Sequence, residues 1–166
     1  MSNQQTRNTV TIEGAKLIWR NFKGAEDKFN RKGDRNFSVL LPTEVAKEME
    51  VDGWNIKWLD PREEGDDPQA VIRVKVNYNG PRPPKIVMIT SRGRTPLGPD
   101  EVEVVDYANI ANADMILSPY NYEVNGKKGV ACYLQTLFIE INEDELELKY
   151  AGTPDATESY PEEPPF

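Results

Sequence analysis

A mainly β fold, either a small barrel or a sandwich, is predicted by three observations. Apolar residues come in short runs, several of them alternating with polar residues at a spacing of two. The runs are punctuated by 11 glycines and 13 prolines, which mark turns. Only one segment carries clear helix start and stop signals. At 166 residues the chain is long enough for one domain with a hydrophobic core, here placed at residues 1–150, followed by a tail at 151–166.

In chain order, VTIEGAKLIW (10–19) predicts a strand with Gly14 as a bulge, and RNFSVLL (35–41) predicts a second strand. PTEVAKEME (42–50) predicts a helix, with Thr43 as its cap, Glu44 in its first turn and Asp52-Gly53 closing it. WNIKWL (54–59) predicts a strand on which Trp54, Ile56 and Trp58 share a face, and DPREEGDDP (60–68) a polar loop. QAVIRVKVNY (69–78) alternates cleanly: Ala70, Ile72, Val74, Val76 and Tyr78 point one way, and Val71, Arg73, Lys75 and Asn77 the other. KIVMIT (85–90) predicts a strand and SRGRTPLGPD (91–100) a loop. EVEVVDYANIAN (101–112) reads equally as a second short helix or as a strand. DMILSPYNYEV (114–124) and GVACYLQTLFIEI (129–141) form a hairpin, because Asn125-Gly126 between apolar runs is a strong turn signal.

Several function classes are excluded or weakened. The chain has no histidine, which removes the commonest general base and every Ser-His or Cys-His nucleophile pair. A single cysteine, Cys132, allows neither a disulfide framework nor a cysteine-based metal site, and its apolar strand makes it a packing residue. No apolar run is long enough to cross a bilayer, and the polar start MSNQQTRNTV lacks the apolar core of a secretory signal, so a cytoplasmic protein without membrane association is expected. The acidic loop holding Asp60, Glu63, Glu64, Asp66 and Asp67 lacks the spacing of a calcium loop and reads as solvated. Neither a cofactor nor a metal is expected.

Charge is segregated. The formal net charge is −8, but residues 143–166 hold eight acids against Lys149 alone, which leaves the rest of the chain near −1. Residues 68–99 contain no acid, while they hold Arg73, Lys75, Arg82, Lys85, Arg92 and Arg94. A second basic cluster comprises Lys23, Lys28, Arg31, Lys32 and Arg35, with Arg20 just before it and Lys127 and Lys128 at the predicted hairpin tip. Aromatic residues are interleaved with these cations: Phe29, Tyr78, Tyr120 and Tyr122 stand beside polar or basic neighbours, whereas Trp54, Trp58 and Phe37 lie among apolar ones and belong in the core. Cations that track phosphates beside rings that stack on bases make up a binding site for single-stranded nucleic acid. The competing account is a set of ordinary solvated strand faces.

The chain ends ESYPEEPPF (158–166), acidic and proline-rich, with phenylalanine last. Few apolar residues follow Gly152, so this tail is expected to be disordered. A terminal ring beside an α-carboxylate can be taken by one apolar pocket and one basic side chain, and the prolines keep the peptide extended. In its β-rich body and in the tip Glu162, Glu163, Pro164, Pro165 and Phe166, the chain resembles the single-stranded DNA-binding proteins of bacteria and bacteriophages. The resemblance implies an OB-like barrel that coats single-stranded DNA in replication or recombination, with no enzymatic activity. It also implies a tip that recruits replication or recombination proteins. The short linker, AGTPDATESY, points to the compact phage type. A homodimer is compatible with the sequence. Two other classes remain: a virion or scaffold β-sandwich with the tail as an assembly element, and a carboxylate-magnesium nuclease drawing on Asp106, Asp114 and Glu123.

Overall fold

Short apolar runs cut by glycine and proline fold, as their spacing dictates, almost wholly into strands. A computed structural model describes residues 8–28, 30–61 and 63–143. The predicted tail, its tip Glu162–Phe166 and Phe29 lie outside the described residues. The described chain runs β1 (Val10–Ile12), β2 (Lys16–Asn21), β3 (Arg35–Leu41), α1 (Thr43–Val51), β4 (Ile56–Leu59), β5 (Gln69–Val76), β6 (Lys85–Thr90), β7 (Gly93–Pro96), a 3-10 turn η1 (Val102–Asp106), β8 (Ile110–Val124) and β9 (Lys127–Ile141).

One sheet, ordered β1-β8-β9-β5-β3-β2, curls around the core. β4 adds to β5, and the β6–β7 hairpin adds to β9. Most neighbours are antiparallel, but β9 runs parallel to both β5 and β6. The path ends on β1 and β2, which are consecutive in sequence, and among the described residues no ladder joins them, so the barrel is open.

The predicted strand 10–19 is therefore two strands. β1 hydrogen-bonds β8, whereas β2 hydrogen-bonds β3. The chain must turn a corner between the two, and Gly14 takes φ +62° to do so, which is a corner rather than a bulge. Its N–H donates to Asp114 Oδ1 at 2.9 Å, and the Ala15 N–H donates to the Ala113 carbonyl at 2.8 Å.

α1 also departs from its predicted start. Pro42 is the residue before the helix, with extended φ −58° and ψ 143°, and no side chain caps it; Thr43 is the first helical residue instead. The other end closes as predicted. Gly53, at φ +98°, donates its N–H to Glu50, and the Trp54 N–H donates to Met49. This pair of bonds satisfies carbonyls that the last turn would leave bare. The predicted loop 91–100 contains β7, paired with β6 through Thr90↔Gly93 to Val87↔Pro96. The ambiguous segment 101–112 divides into η1 and the first residues of β8.

The core is drawn from the inward faces: Val39 from β3, Ile72 and Val74 from β5, Met115 and Leu117 from β8, Leu137 and Ile139 from β9. Phe22 and Phe37 stack inside it, with ring centroids 4.8 Å apart and planes 16° from parallel. Trp54 is buried there too, while Trp58 is half-buried with its Nε1–H donating to Glu50. Each fully buried side chain of this size contributes about 1.5–3 kcal/mol. Val102 and Val105 of η1 are buried as well, and Arg20 Nη1 on β2 donates to the Val105 and Ala108 carbonyls, both at 2.8 Å. η1 is thereby tied to β2 at the open side of the barrel.

Candidate nucleic-acid interface

On β5 the alternation read from the sequence places Arg73 and Lys75 outward, opposite the buried Ile72, Val74 and Val76. Val71, which the alternation also places on the outward side, is buried between Leu40 of β3 and Lys57 of β4. The parallel ladder sets Lys75 beside Tyr133 of β9. Tyr133 faces outward because Cys132 and Leu134 face the core. Lys75 Nζ stands 6.0 Å from the Tyr133 ring centroid, and Tyr120 of β8 meets that ring edge-on at 5.8 Å. Tyr120 is 58% exposed. Two rings and a cation thus share one open surface.

Tyr122, next along β8, crosses Gly129 of β9. A Cβ on Gly129 would lie 2.5 Å from the Tyr122 hydroxyl oxygen, so only glycine lets the ring lie flat there. Asn55 Nδ2 donates to that hydroxyl at 3.0 Å and holds it.

On the opposite flank, β3 presents Asn36 and Ser38 beside Lys75 and Arg73. The loop between β2 and β3, the predicted basic cluster, is fastened by Asn30. Its Nδ2 reaches the carbonyls of Ala25, Arg31 and Asp34, while its Oδ1 accepts from Asn36 at 2.8 Å and from Arg73 at 3.3 Å. Asn21 clamps Ala25 from both sides. Gly24, at φ +75°, lets the Gly33 backbone approach, with the Gly33 N–H donating to the Gly24 carbonyl at 2.8 Å.

Three concavities on this face merge at Arg73. The first runs to Tyr120, Tyr122 and Tyr133. The second runs to Arg31, Arg35 and Tyr78. The third, about 980 Å³, runs to Trp19, Arg20, Lys23 and Tyr107. Together they form one groove across β8, β9, β5, β3 and β2. The cations lining it are Arg20, Lys23, Arg31, Arg35, Lys57, Arg73 and Lys75, against the carboxylates Asp27, Asp34 and Asp106. Asp106 is engaged by the backbone N–H groups of Phe22 and Lys23, at 2.7 and 3.1 Å. The net field therefore favours an anionic polymer, and the rings supply π-faces for its bases.

The predicted residues divide accordingly. Arg73, Lys75, Tyr120, Tyr122, Arg31 and Lys23 line the groove with exposed or half-exposed side chains. Arg20 and Arg35 line it but are also tethered: Arg35 donates to the Phe22 carbonyl at 2.7 Å and lies 5.5 Å over the Tyr78 ring. Tyr78 packs on the core and donates its hydroxyl to the Leu97 carbonyl at 2.9 Å. Burial pushes its pKa up to about 12, with Arg35 pulling the other way. Lys28, Lys32 and Arg82 are exposed on loops, and Lys127 and Lys128 at the hairpin tip. Lys85 and Arg94 gather elsewhere, 5.5 and 5.7 Å over the Phe138 ring, near the exposed Arg92 turn. Tyr133, Asn55, Trp19, Lys57 and Tyr107 were missed by sequence reasoning. Tyr133 carried a usable signal, since it falls on the polar side of its strand.

Residues 1–162 match the family described as "Putative phage ssDNA-binding domain". The chain belongs to this family. It is a single-stranded DNA-binding protein of the phage type. Solved structures of a phage protein are similar in fold. The single-stranded DNA-binding protein from bacteriophage Enc34 in complex with ssDNA superposes at TM-score 0.55 and 10% identity, covering 82% of this chain and 88% of that one. A second structure of the single-stranded DNA-binding protein from bacteriophage Enc34 superposes at TM-score 0.54 and 11% identity, covering 92% of this chain and 90% of that one. No curated protein matches in sequence. The fold is thus mainly β and OB-like, and in the described residues no helix is long and apolar enough to cross a membrane.

Proposed function

We propose that this chain coats single-stranded DNA during phage DNA replication or recombination, in the host cytoplasm, without chemistry of its own on the strand. The strand follows the groove centred on Arg73. Arg73, Lys75, Lys23 and Arg31 contact phosphates, and Tyr120, Tyr122 and Tyr133 offer stacking surfaces. The observation that carries this reading is the constellation of Arg73, Lys75, Tyr133 and Tyr120, brought onto one face by the β5–β9 ladder. Two carboxylates that a metal nuclease would draw on have structural partners: Asp106 accepts from Phe22 and Lys23, and Asp114 from Gly14.

The acidic tip Glu162, Glu163, Pro164, Pro165 and Phe166 is a second binding element for replication or recombination proteins. Its charge also lets it compete with DNA for the basic groove. Titration of oligo-dT with tryptophan fluorescence, at several salt concentrations, tests both parts. Salt-sensitive binding is expected, and deletion of residues 155–166 is expected to tighten it at low salt. Absence of binding after the deletion sinks the DNA reading; looser binding sinks the competition.

A further inference from the structure

The third arm of the groove ends on two exposed aromatic residues that come from distant parts of the chain. Trp19 is 57% and Tyr107 78% exposed, and both line that arm. Trp19 takes φ +49°, which is rare for a bulky side chain. The cause is local: the β2–β3 register shifts between Ile18 and Asn21, so Trp19 and Arg20 leave the ladder. A bulge of this kind re-aims side chains. Trp19 is turned into the groove, where Lys57 Nζ stands 6.0 Å from its ring centroid, and Arg20 is turned toward η1.

Arg20 then fixes the second ring. Its guanidinium holds the carbonyls of Val105 and Ala108, which flank Tyr107, while Asp106 accepts from the Phe22 and Lys23 N–H groups. The backbone on either side of Tyr107 is therefore tied to β2 and to the two residues that follow it. Cations outnumber carboxylates in this arm: Arg20, Lys23, Lys57 and Arg73 against Asp27 and Asp106. Two rings carried on backbone segments that are tied together, open to solvent and set among cations, suit bases of a single strand.

We propose that Trp19 and Tyr107 form a second stacking station for single-stranded DNA, at the η1 end of the groove. This extends the bound strand beyond the Tyr120–Tyr133 surface, and it rests on the groove reading given above. Trp19→Ala and Tyr107→Ala are each expected to weaken binding of an oligo-dT that spans the groove by about 5- to 150-fold. The same variants should bind an abasic oligonucleotide of equal length as the parent does, because only the bases stack. Trp19→Phe should retain affinity for oligo-dT while losing most of the fluorescence quenching. Arg73→Ala, in the centre of the groove, should weaken both oligonucleotides. If Trp19→Ala and Tyr107→Ala bind oligo-dT normally while Arg73→Ala does not, the second station is wrong and the groove stands. If Arg73→Ala also binds normally, the groove itself is wrong. Equal weakening toward abasic and intact oligonucleotides by Trp19→Ala overturns the stacking role. Thermal melting of each variant, with Trp19→Phe as the conservative control, separates these outcomes from misfolding.

Discussion

Replacing Arg73 by Ala tests the electrostatics of the groove directly. Five groove cations, Lys23, Arg31, Lys57, Arg73 and Lys75, are not tied to backbone carbonyls by the bonds that hold Arg20 and Arg35. If each neutralises one phosphate, the slope of log affinity against log salt is about −3.5 on single-stranded DNA. Affinity then falls about 100-fold between about 50 and 200 mM salt. Removing Arg73 takes one phosphate away: the slope becomes about −2.8, the fall over the same range about 50-fold, and affinity at fixed salt drops about tenfold. The fold should persist, because Asn30 Oδ1 keeps its bond from Asn36 and its Nδ2 still holds the loop. Filter binding or anisotropy over a salt series reads both numbers. Arg73→Lys should restore the slope, since it restores the charge. A normally folded Arg73→Ala protein with an unchanged slope would refute the assignment of phosphate contact to this face.

Other expectations follow from single contacts. Gly129→Ala should push the Tyr122 ring off β9 and break its bond to Asn55, costing about 1 kcal/mol of stability in denaturant melts and weakening DNA binding; unchanged values in both would show that the ring adapts freely. Cys132 is buried and its thiol is held neutral by that burial, so it should resist alkylation at neutral pH and react fully on unfolding, with fast native labelling as the contrary result. Tyr78 ionises at about 12 in the folded protein against about 10 unfolded, mainly through burial. Its contribution is present in full below about pH 10 and is lost as pH rises through about 12. Tyr78→Phe should cost about 1 kcal/mol near neutral pH, by loss of the bond to Leu97, and should flatten the alkaline fall in stability. Phe37→Ala, which removes a fully buried ring from the Phe22 stack, should cost about 3–5 kcal/mol in the same melts; a loss below about 1 kcal/mol would contradict the packing.

Much of this molecule is visible in local pattern. β3 forms where it is predicted, β5 carries Arg73 and Lys75 on the face its alternation gives them, α1 ends on its glycine, and Asn125-Gly126 turns the long hairpin with φ of +53° and +81°. Arg73 and Lys75 share a face because strand geometry puts them there. What local pattern lacks is partner choice. Tyr133 joins Lys75 only through a parallel ladder between distant strands, and no residue of either strand announces it. β7 escaped because Gly93, Arg94, Thr95 and Pro96 are all exposed, and pairing with β6 rather than burial makes them a strand. Trp19 owes its exposure to a register shift, which is a property of two strands together.

That same parallel ladder bears on how the protein behaves before it is native. The β8–β9 hairpin closes through a two-residue turn and can form early, on a microsecond scale, carrying Tyr120, Tyr122 and Tyr133 with it. Arg73 and Lys75 arrive only when β5 docks on β9, a non-local step that must meet its loop-closure entropy first. Without that ladder, Tyr120 and Tyr133 stand apart from Arg73 and Lys75, and the central part of the groove is incomplete. Only the native state can then engage the strand in this groove. By mass action, single-stranded DNA acts as a stabiliser of the completed fold, raising its melting temperature with the logarithm of the ratio of free ligand to its dissociation constant.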